Sequence, residues 1–364
     1  MNEIDQMLND SAIRFFTDLC TRDVLDEVER GVWLQEPWQD MQAMGLTSAA
    51  VMDTDDIDGN LGLKSLGLLA RQAGRFNLPL PLVETFMAHR ALRTAGIPVD
   101  EDMPIGMSTL CSTSTLTAQQ DGDGYIVDGK AGRVAWGRHC PWILATGSKE
   151  GKLFLALLPA ATRVQPGVNL AGEPRDTLHY ENVRIDGAHL RVLETDELLD
   201  QIICEGALFR CMQLTGAMQR ALEMTIEYAR EREQFGRPIA KFQAIQHQIA
   251  EQAAQTASAT AAADAAAHAS RVGPARLEIA MAKIRCSEAA TVVYRVAHQV
   301  HGAMGFTHEH NLHLTTRRLM SWRDEFGSDD YWAQWLGATL SGMEEGSIWP
   351  FITDPAEALN QGAA

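Results

Sequence analysis

YAREREQFGRPIAKFQAIQHQIAE, residues 228–251, joins two amphipathic runs through a break at FGRP. Gly236 can take the left-handed conformation that ends a helix. Pro238 suits the first turn of the next one. The spacing therefore predicts one helix closing with MTIEYARERE, residues 224–233, and another carrying IAKFQAIQHQIAE, residues 239–251. Arg232 and Phe235 stand three apart and would share a face at the helix end. An arginine there offers a planar fork of donors suited to a phosphate, and an adjacent aromatic gives a surface for a ring. The bland alternative is a solvated arginine beside a core phenylalanine, and spacing alone does not choose between them.

Working outward, apolar residues recur at helical spacing from about residue 195 onward. The alanine-rich run AEQAAQTASATAAADAAAHASR, residues 250–271, lets backbones approach closely, as a tight bundle or a subunit interface needs. Upstream, from about 105 to 190, the segments are short and rich in Thr, Val and Leu. DGDG and KEGK between alternating runs are hairpin signals. Before about residue 100 the pattern is helical again, in SAIRFFTDLCTRDVLDEVERG, LKSLGLLARQAGRF and LVETFMAHRALRTAG, with a loop at SAAVMDTDDIDGNLGL. The expected fold is mainly α with a central β domain. A helical domain over 1–104 precedes a small antiparallel sheet or barrel over 105–192 and a C-terminal helical bundle over 193–364.

The 364 residues suffice for a large buried core. A formal net charge of −17 argues against nucleic acid or an anionic membrane surface as the main partner. Cys20, Cys111, Cys140, Cys204, Cys211 and Cys286 make no C-x-x-C, so reduced thiols are expected. The histidines of HGAMGFTHEHNLH, residues 301–313, lack the H-E-x-x-H spacing, and no metal site is expected. The polar start MNEIDQMLND does not read as a signal or transit peptide, and no apolar run reaches 18 residues. A soluble cytoplasmic protein is expected.

YAREREQFGRPIAKFQAIQHQIAE resembles a signature of the acyl-CoA dehydrogenase family of flavoproteins. AHQVHGAMGFTHEHNLH, residues 297–313, is similar to that family's H-Q-x-x-G-G-x-G-F-T. The resemblance spans nearly the whole chain and implies an N-terminal helical domain, a β domain and a C-terminal four-helix bundle. It implies FAD as cofactor, with Arg232 at the pyrophosphate of a neighbouring subunit's FAD and Gln234 and Phe235 beside it. Gln299 and the backbone at Gly302 and Ala303 would meet the ADP portion; Ala303 replaces the family's second glycine. A dimer or tetramer follows, homomeric or heteromeric, because a monomer could not complete the site. An acyl-CoA substrate and an electron-transferring flavoprotein as electron acceptor are implied as well.

The family's reaction removes the proton α to a thioester while hydride leaves the β-carbon for the flavin, so it needs a carboxylate base of tuned pKa. In one family position, usually Y-E-G-T, this chain reads TRRLMSWRDEFGSDDYW, residues 316–332. Gly327 and Ser328 match G-T, Phe326 stands at the glutamate position, and Glu325 one residue earlier is the candidate base, with Asp324 second. The competing reading makes Arg323, Asp324 and Glu325 an ion-pair cluster. The other family position lies on the preceding long helix, in CEGALFRCMQLTGAMQ, at Gly206 beside Glu205, or at Gln213. A one-residue slip there turns a side chain about 100° off its face. The family's T-E-P-x-x-G-S-D is absent from MSTLCSTSTLTAQQDGDGYIV, residues 107–127. Its W-I-T-N-G corresponds to RVAWGRHC, residues 133–140, where Trp136 is either a flavin-stacking ring or a sheet-face aromatic. Three readings follow: an acyl-CoA dehydrogenase acting alone or in a heteromer, a non-catalytic partner completing a homologous chain's FAD site, and a related flavin oxidase.

Overall fold

The computed structural model describes residues 3–50, 63–99, 103–108, 114–270 and 275–343. Its first helices are α1 (Glu3–Leu19), α2 (Arg22–Glu29), α3 (Gln35–Ala43), α4 (Leu63–Arg75) and α5 (Leu82–Ala95). The run expected as one helix from Ser11 is thus broken between Leu19 and Arg22. Part of the expected loop, residues 51–62, lies outside the described residues.

The strands are β1 (Ile105–Ser108), β2 (Thr117–Asp121), β3 (Gly124–Ala135), β4 (Trp142–Lys149), β5 (Lys152–Pro159), β6 (Arg163–Gln165), β7 (Arg175–Asp186) and β8 (Leu190–Val192). They form one sheet in the order β6-β7-β3-β1-β4-β5-β8, with β2 paired to β3 and β4. The two hairpins signalled by DGDG and KEGK are present: Asp121 pairs Gly124, and Lys149 pairs Lys152. The sheet is not wholly antiparallel, because β4 runs parallel to β1 and touches β2 in the same sense.

The C-terminal helices are α6 (Glu197–Glu231), α7 (Gln243–Ala269), α8 (Arg276–His301), α9 (Leu312–Trp322) and α10 (Asp329–Ser341). Helices α6, α7 and α8 pack side by side, α9 lies on α6 and α10 on α8. The alanines of α7 that face this bundle, Ala259, Ala263, Ala266 and Ala267, are fully buried. Close approach also decides the crossing of α4 and α6. A Cβ at Gly216 would stand 1.9 Å from the Arg71 carbonyl oxygen, and one at Gly74 would stand 2.1 Å from that of Gln213. Only glycine permits this backbone contact. The crossing fixes the N-terminal helices against the middle of α6. The main core runs unbroken from Phe16 and Trp38 through Phe154 to Phe209 and Trp332.

Candidate functional site

The opening stretch folds differently from its helical reading. Helix α6 ends at Glu231, and Arg232 is already extended, with φ −72° and ψ 119°. β9 (Glu233–Gln234) then pairs with β10 (Arg237–Pro238), so the four residues close a minimal hairpin. Its tip is Phe235 and Gly236, with φ of 52° and 78°, the pattern of a type I′ turn. Gly236 therefore serves a hairpin tip, and it does not cap the helix. Arg232 and Phe235 do not share a helical face, because neither is helical. Arg232, Gln234 and Phe235 are all exposed, Phe235 by 92%. The Arg232 side chain takes no partner among the described residues. Arg237 instead lies over the Phe242 ring at 4.2 Å and stiffens the base of the hairpin.

The second motif comes to the same end of the bundle. Tyr228 stacks on His301 with ring centroids 4.5 Å apart, and His310 meets His301 edge-on at 4.7 Å. Gln299, Gly302 and Ala303 are exposed beside this stack, as are Met304 and Phe306. Gly302 adopts φ 58° and ψ −138°, a conformation a side chain would forbid. Hairpin and motif thus form one surface of exposed apolar rings around an unpaired guanidinium, on a chain with net charge −17.

Glu325 lies elsewhere, in the turn between α9 and α10, and only 8% of it is exposed. Arg175 of β7 donates to its Oε1 through Nε and Nη2, at 3.0 and 2.8 Å. Arg210 of α6 donates to its Oε2 through Nε at 2.8 Å. Arg210 also donates to Glu84 of α5 at 2.7 Å and to Gln213. Arg175 reaches Glu173 at 3.3 Å, and Glu173 in turn meets Arg318 at 3.4 Å and Trp322 Nε1 at 3.0 Å. Three carboxylates and three guanidiniums balance each other, all of them buried. Such a lattice is tolerated only because every charge is paired.

The electrostatics of Glu325 oppose the role expected for it. Burial alone would raise its carboxyl, but the charges and hydrogen bonds of Arg175 and Arg210 outweigh burial and hold it at about 2. A base for an α-proton must have a pKa nearer the working pH and room beside it for the substrate. Here both carboxylate oxygens are occupied, so the structure gives Glu325 a structural place. Asp324 meets Arg323 at 3.3 Å on the surface. Lys283 and Ser287 donate to the Arg323 carbonyl, and Trp332 Nε1 donates to that of Phe326 at 3.0 Å. The turn is pinned from three sides.

The two family positions for a base meet each other directly. A Cβ at Gly206 would lie 2.3 Å from the Phe326 ring, so that ring fills the space a helical carboxylate would need. Phe326 is 7% exposed, at φ 55°, and its ring lies 5.8 Å from the Arg210 guanidinium. Glu205 points away and is bound by Arg90 at 2.7 and 2.9 Å, beside a cleft of about 640 Å³. Gln213 accepts from Arg210. Trp136 is buried, and it packs against Trp33 at 6.5 Å and His139 at 6.1 Å. These contacts accord with its reading as a packed sheet-face aromatic. Residues 109–113 of the degenerate β-domain loop lie outside the described residues.

Residues 201–339 match the acyl-CoA dehydrogenase C-terminal domain. The fold is that of butyryl-CoA dehydrogenase from Megasphaera elsdenii, which superposes with a TM-score of 0.82 at 17% identity, over 93% of this chain and 98% of that one. Residues 201–339 thus carry an acyl-CoA dehydrogenase C-terminal domain. Among curated relatives the chain is 28% identical to acyl-CoA dehydrogenase IpdE2 of Mycobacterium tuberculosis over 274 residues, 74% of this chain and 76% of that protein. It is 27% identical to acyl-CoA dehydrogenase FadE27 of the same organism over 322 residues, 79% and 83%. The ChsE4-ChsE5 complex from M. tuberculosis contains a chain that superposes with a TM-score of 0.82 at 20% identity, covering 94% of this chain and 99% of that one.

The sequence alone did not single out Glu84, Glu173, Arg175, Arg210 or Arg318. Two of them are charges inside apolar runs, Glu84 in LVETFMAH and Arg210 in ALFRCMQL, whereas Glu173 and Arg175 in GEPRD and Arg318 in TTRRL stand among polar neighbours. Buried charges of this kind must be paired, and that was the available signal. Their partners were not readable, because they come from distant parts of the chain. The five described cysteines carry free thiols; Cys111 lies outside the described residues. No cluster of three or more metal-ligating side chains occurs, and no helix is long and apolar enough to cross a membrane, among the described residues.

Proposed function

We propose that this chain is one subunit of a heteromeric acyl-CoA dehydrogenase. It grips the FAD of a homologous chain and leaves the base to that partner. The observation that carries this reading is Glu325, locked between Arg175 and Arg210, with Phe326 packed onto Gly206. Neither family position for a base holds a carboxylate free to take a proton. The grip side remains suited to its task. Arg232 is exposed and unpaired and fits a phosphate, Phe235 projects beside it, and Gly302 leaves its backbone open to close approach. On the chain's own flavin side, Trp136 is covered by Trp33 and His139 and offers no open ring.

In the composite site a bound FAD supplies the acceptor for the β-hydride. This chain's part is to bind and orient: Arg232 holds negative charge, Gln234 and Phe235 flank it, and Gln299 with the Gly302–Ala303 backbone contacts the ADP portion. The partner's carboxylate removes the proton α to the thioester carbonyl. The likeness to a chain of the ChsE4-ChsE5 complex supports a two-chain assembly. An electron-transferring flavoprotein as acceptor and a cytoplasmic site of action belong to the same reading.

The test is Glu325→Gln in the complex with its partner chain. Exchange of the substrate's α-proton should persist with flavin bound. Loss of exchange at unchanged flavin content would make Glu325 the base and end the non-catalytic reading.

A further inference from the structure

The two motifs of the grip surface meet through uncharged aromatic rings. Tyr228, from the end of α6, lies flat on His301 at 4.5 Å, with 23° between the planes. His310 closes the stack at 4.7 Å from His301 and 6.0 Å from Tyr228. His298, one helical turn before His301, stacks on Phe306 at 4.3 Å and meets the Thr316 hydroxyl at 2.9 Å. His301 is 2% exposed, and its Nδ1 donates to the Ala297 carbonyl at 2.7 Å.

Charge around this stack is already matched or of the wrong sign to host imidazolium ions. From α6, Glu227 faces His310. The segment after α8 supplies His308 and Glu309, and α9 supplies His313 and Arg317. From α2 come Arg22, Asp26 and Glu29; Arg22 pairs with Asp26 at 2.9 Å, and Arg317 pairs with Glu29. Among the described residues Glu227 is the carboxylate that faces His310 itself, while Glu309 lies nearer His308 and Arg22, against five clustered histidines and two arginines.

We propose that the Tyr228–His301–His310 stack is an acid-sensitive joint, which parts the hairpin from the second motif in mild acid and so loosens the grip on the partner's flavin. This rests on the assignment of the grip surface above. Burial pushes the His301 imidazole down to about 4, and burial likewise lowers His298, His310 and His313. A histidine whose folded pKa is depressed contributes stability above its unfolded value, and that stability is lost as pH falls from 6.5 toward 4. At about pH 5.5 one such group shifts the closed–open balance by about tenfold.

The experiment is hydrogen–deuterium exchange of the full chain at about pH 7.5 and about pH 5.5, corrected for intrinsic rates, without flavin or partner. Peptides covering 224–242 and 297–313 should open about tenfold more at the lower pH, relative to α4 and β7. His301→Phe keeps a ring on Tyr228 and removes the proton site, so its opening should change less than about threefold. If that variant folds poorly, His310→Phe serves the same purpose. Equal opening in wild type and variant, or none in wild type, overturns the joint and leaves the subunit assignment standing. Normal flavin retention by an Arg232→Ala complex would instead defeat the subunit assignment and leave the joint intact.

Discussion

Helix α6 has two ends with opposite characters. Arg210, in its first half, touches Glu84, Gln213 and Glu325 and is 1% exposed. Arg232, just past its last turn and ~33 Å further along the axis, touches solvent. At the first end the lattice ties α5, α6, β7 and the turn after α9 into one block. At the second the chain presents a free guanidinium and a bare phenylalanine. By the resemblance, the first region would hold the catalytic base and the second would grip a flavin. Here one has been closed by mutually satisfied charges while the other has stayed open, and a cavity closed in this way is as rigid as a filled one. The fold then works by what it offers outward.

Breaking the closed end should have the largest effect. Arg210→Met would leave Glu84 and Glu325 buried without their shared cation, and should cost about 3–5 kcal/mol in urea unfolding. The same lattice sets an acid limit. Since the Glu325 carboxyl sits near 2, below its ordinary 4.5, its stabilisation is present above 4.5 and lost as pH falls toward 2. Acid unfolding of Glu325→Gln should show a flatter dependence in that window, most of which lies below the range in which the histidine joint opens.

At the open end the effects should fall on binding and spare stability. Arg232→Ala should weaken FAD retention in the complex by about 1.5–3 kcal/mol, read by flavin titration, while its melting curve stays within about 0.5 kcal/mol of wild type. Gly206→Ala sharpens the contrast from the closed side. Its methyl would press on the Phe326 ring and should cost about 1–3 kcal/mol, relieved in part by a second change, Phe326→Leu. The smallest effect expected is that of Phe235→Ala on folding, within about 0.5 kcal/mol, because 92% of that ring is already in water.

Much of the fold could be read from local pattern. Glu150 and Gly151, at φ 53° and 84°, make the turn that KEGK promised. The same kind of signal misled at FGRP, since Gly236 followed closely by Pro238 fits a helix end and a hairpin tip equally well. Phe235 decides between them by accepting φ 52°, which a non-glycine residue seldom does and no local rule anticipates. The candidate site was less legible. Glu325 was the candidate because it stands one residue before the family's glutamate position, which Phe326 occupies. Its partners in space are Arg175 and Arg210, 150 and 115 residues away. Long-range pairing of this kind leaves as its trace, at Arg210 alone of the two, a charge in an apolar run.

The most direct measurement is the visible spectrum of this chain, purified without any homologous partner, together with its mass in solution. A colourless protein is expected, turning yellow only when a homologous chain with its own carboxylate is added. A yellow homo-oligomer carrying about one FAD per chain and reducing it with an acyl-CoA would contradict the closed site at Arg210 and Glu325.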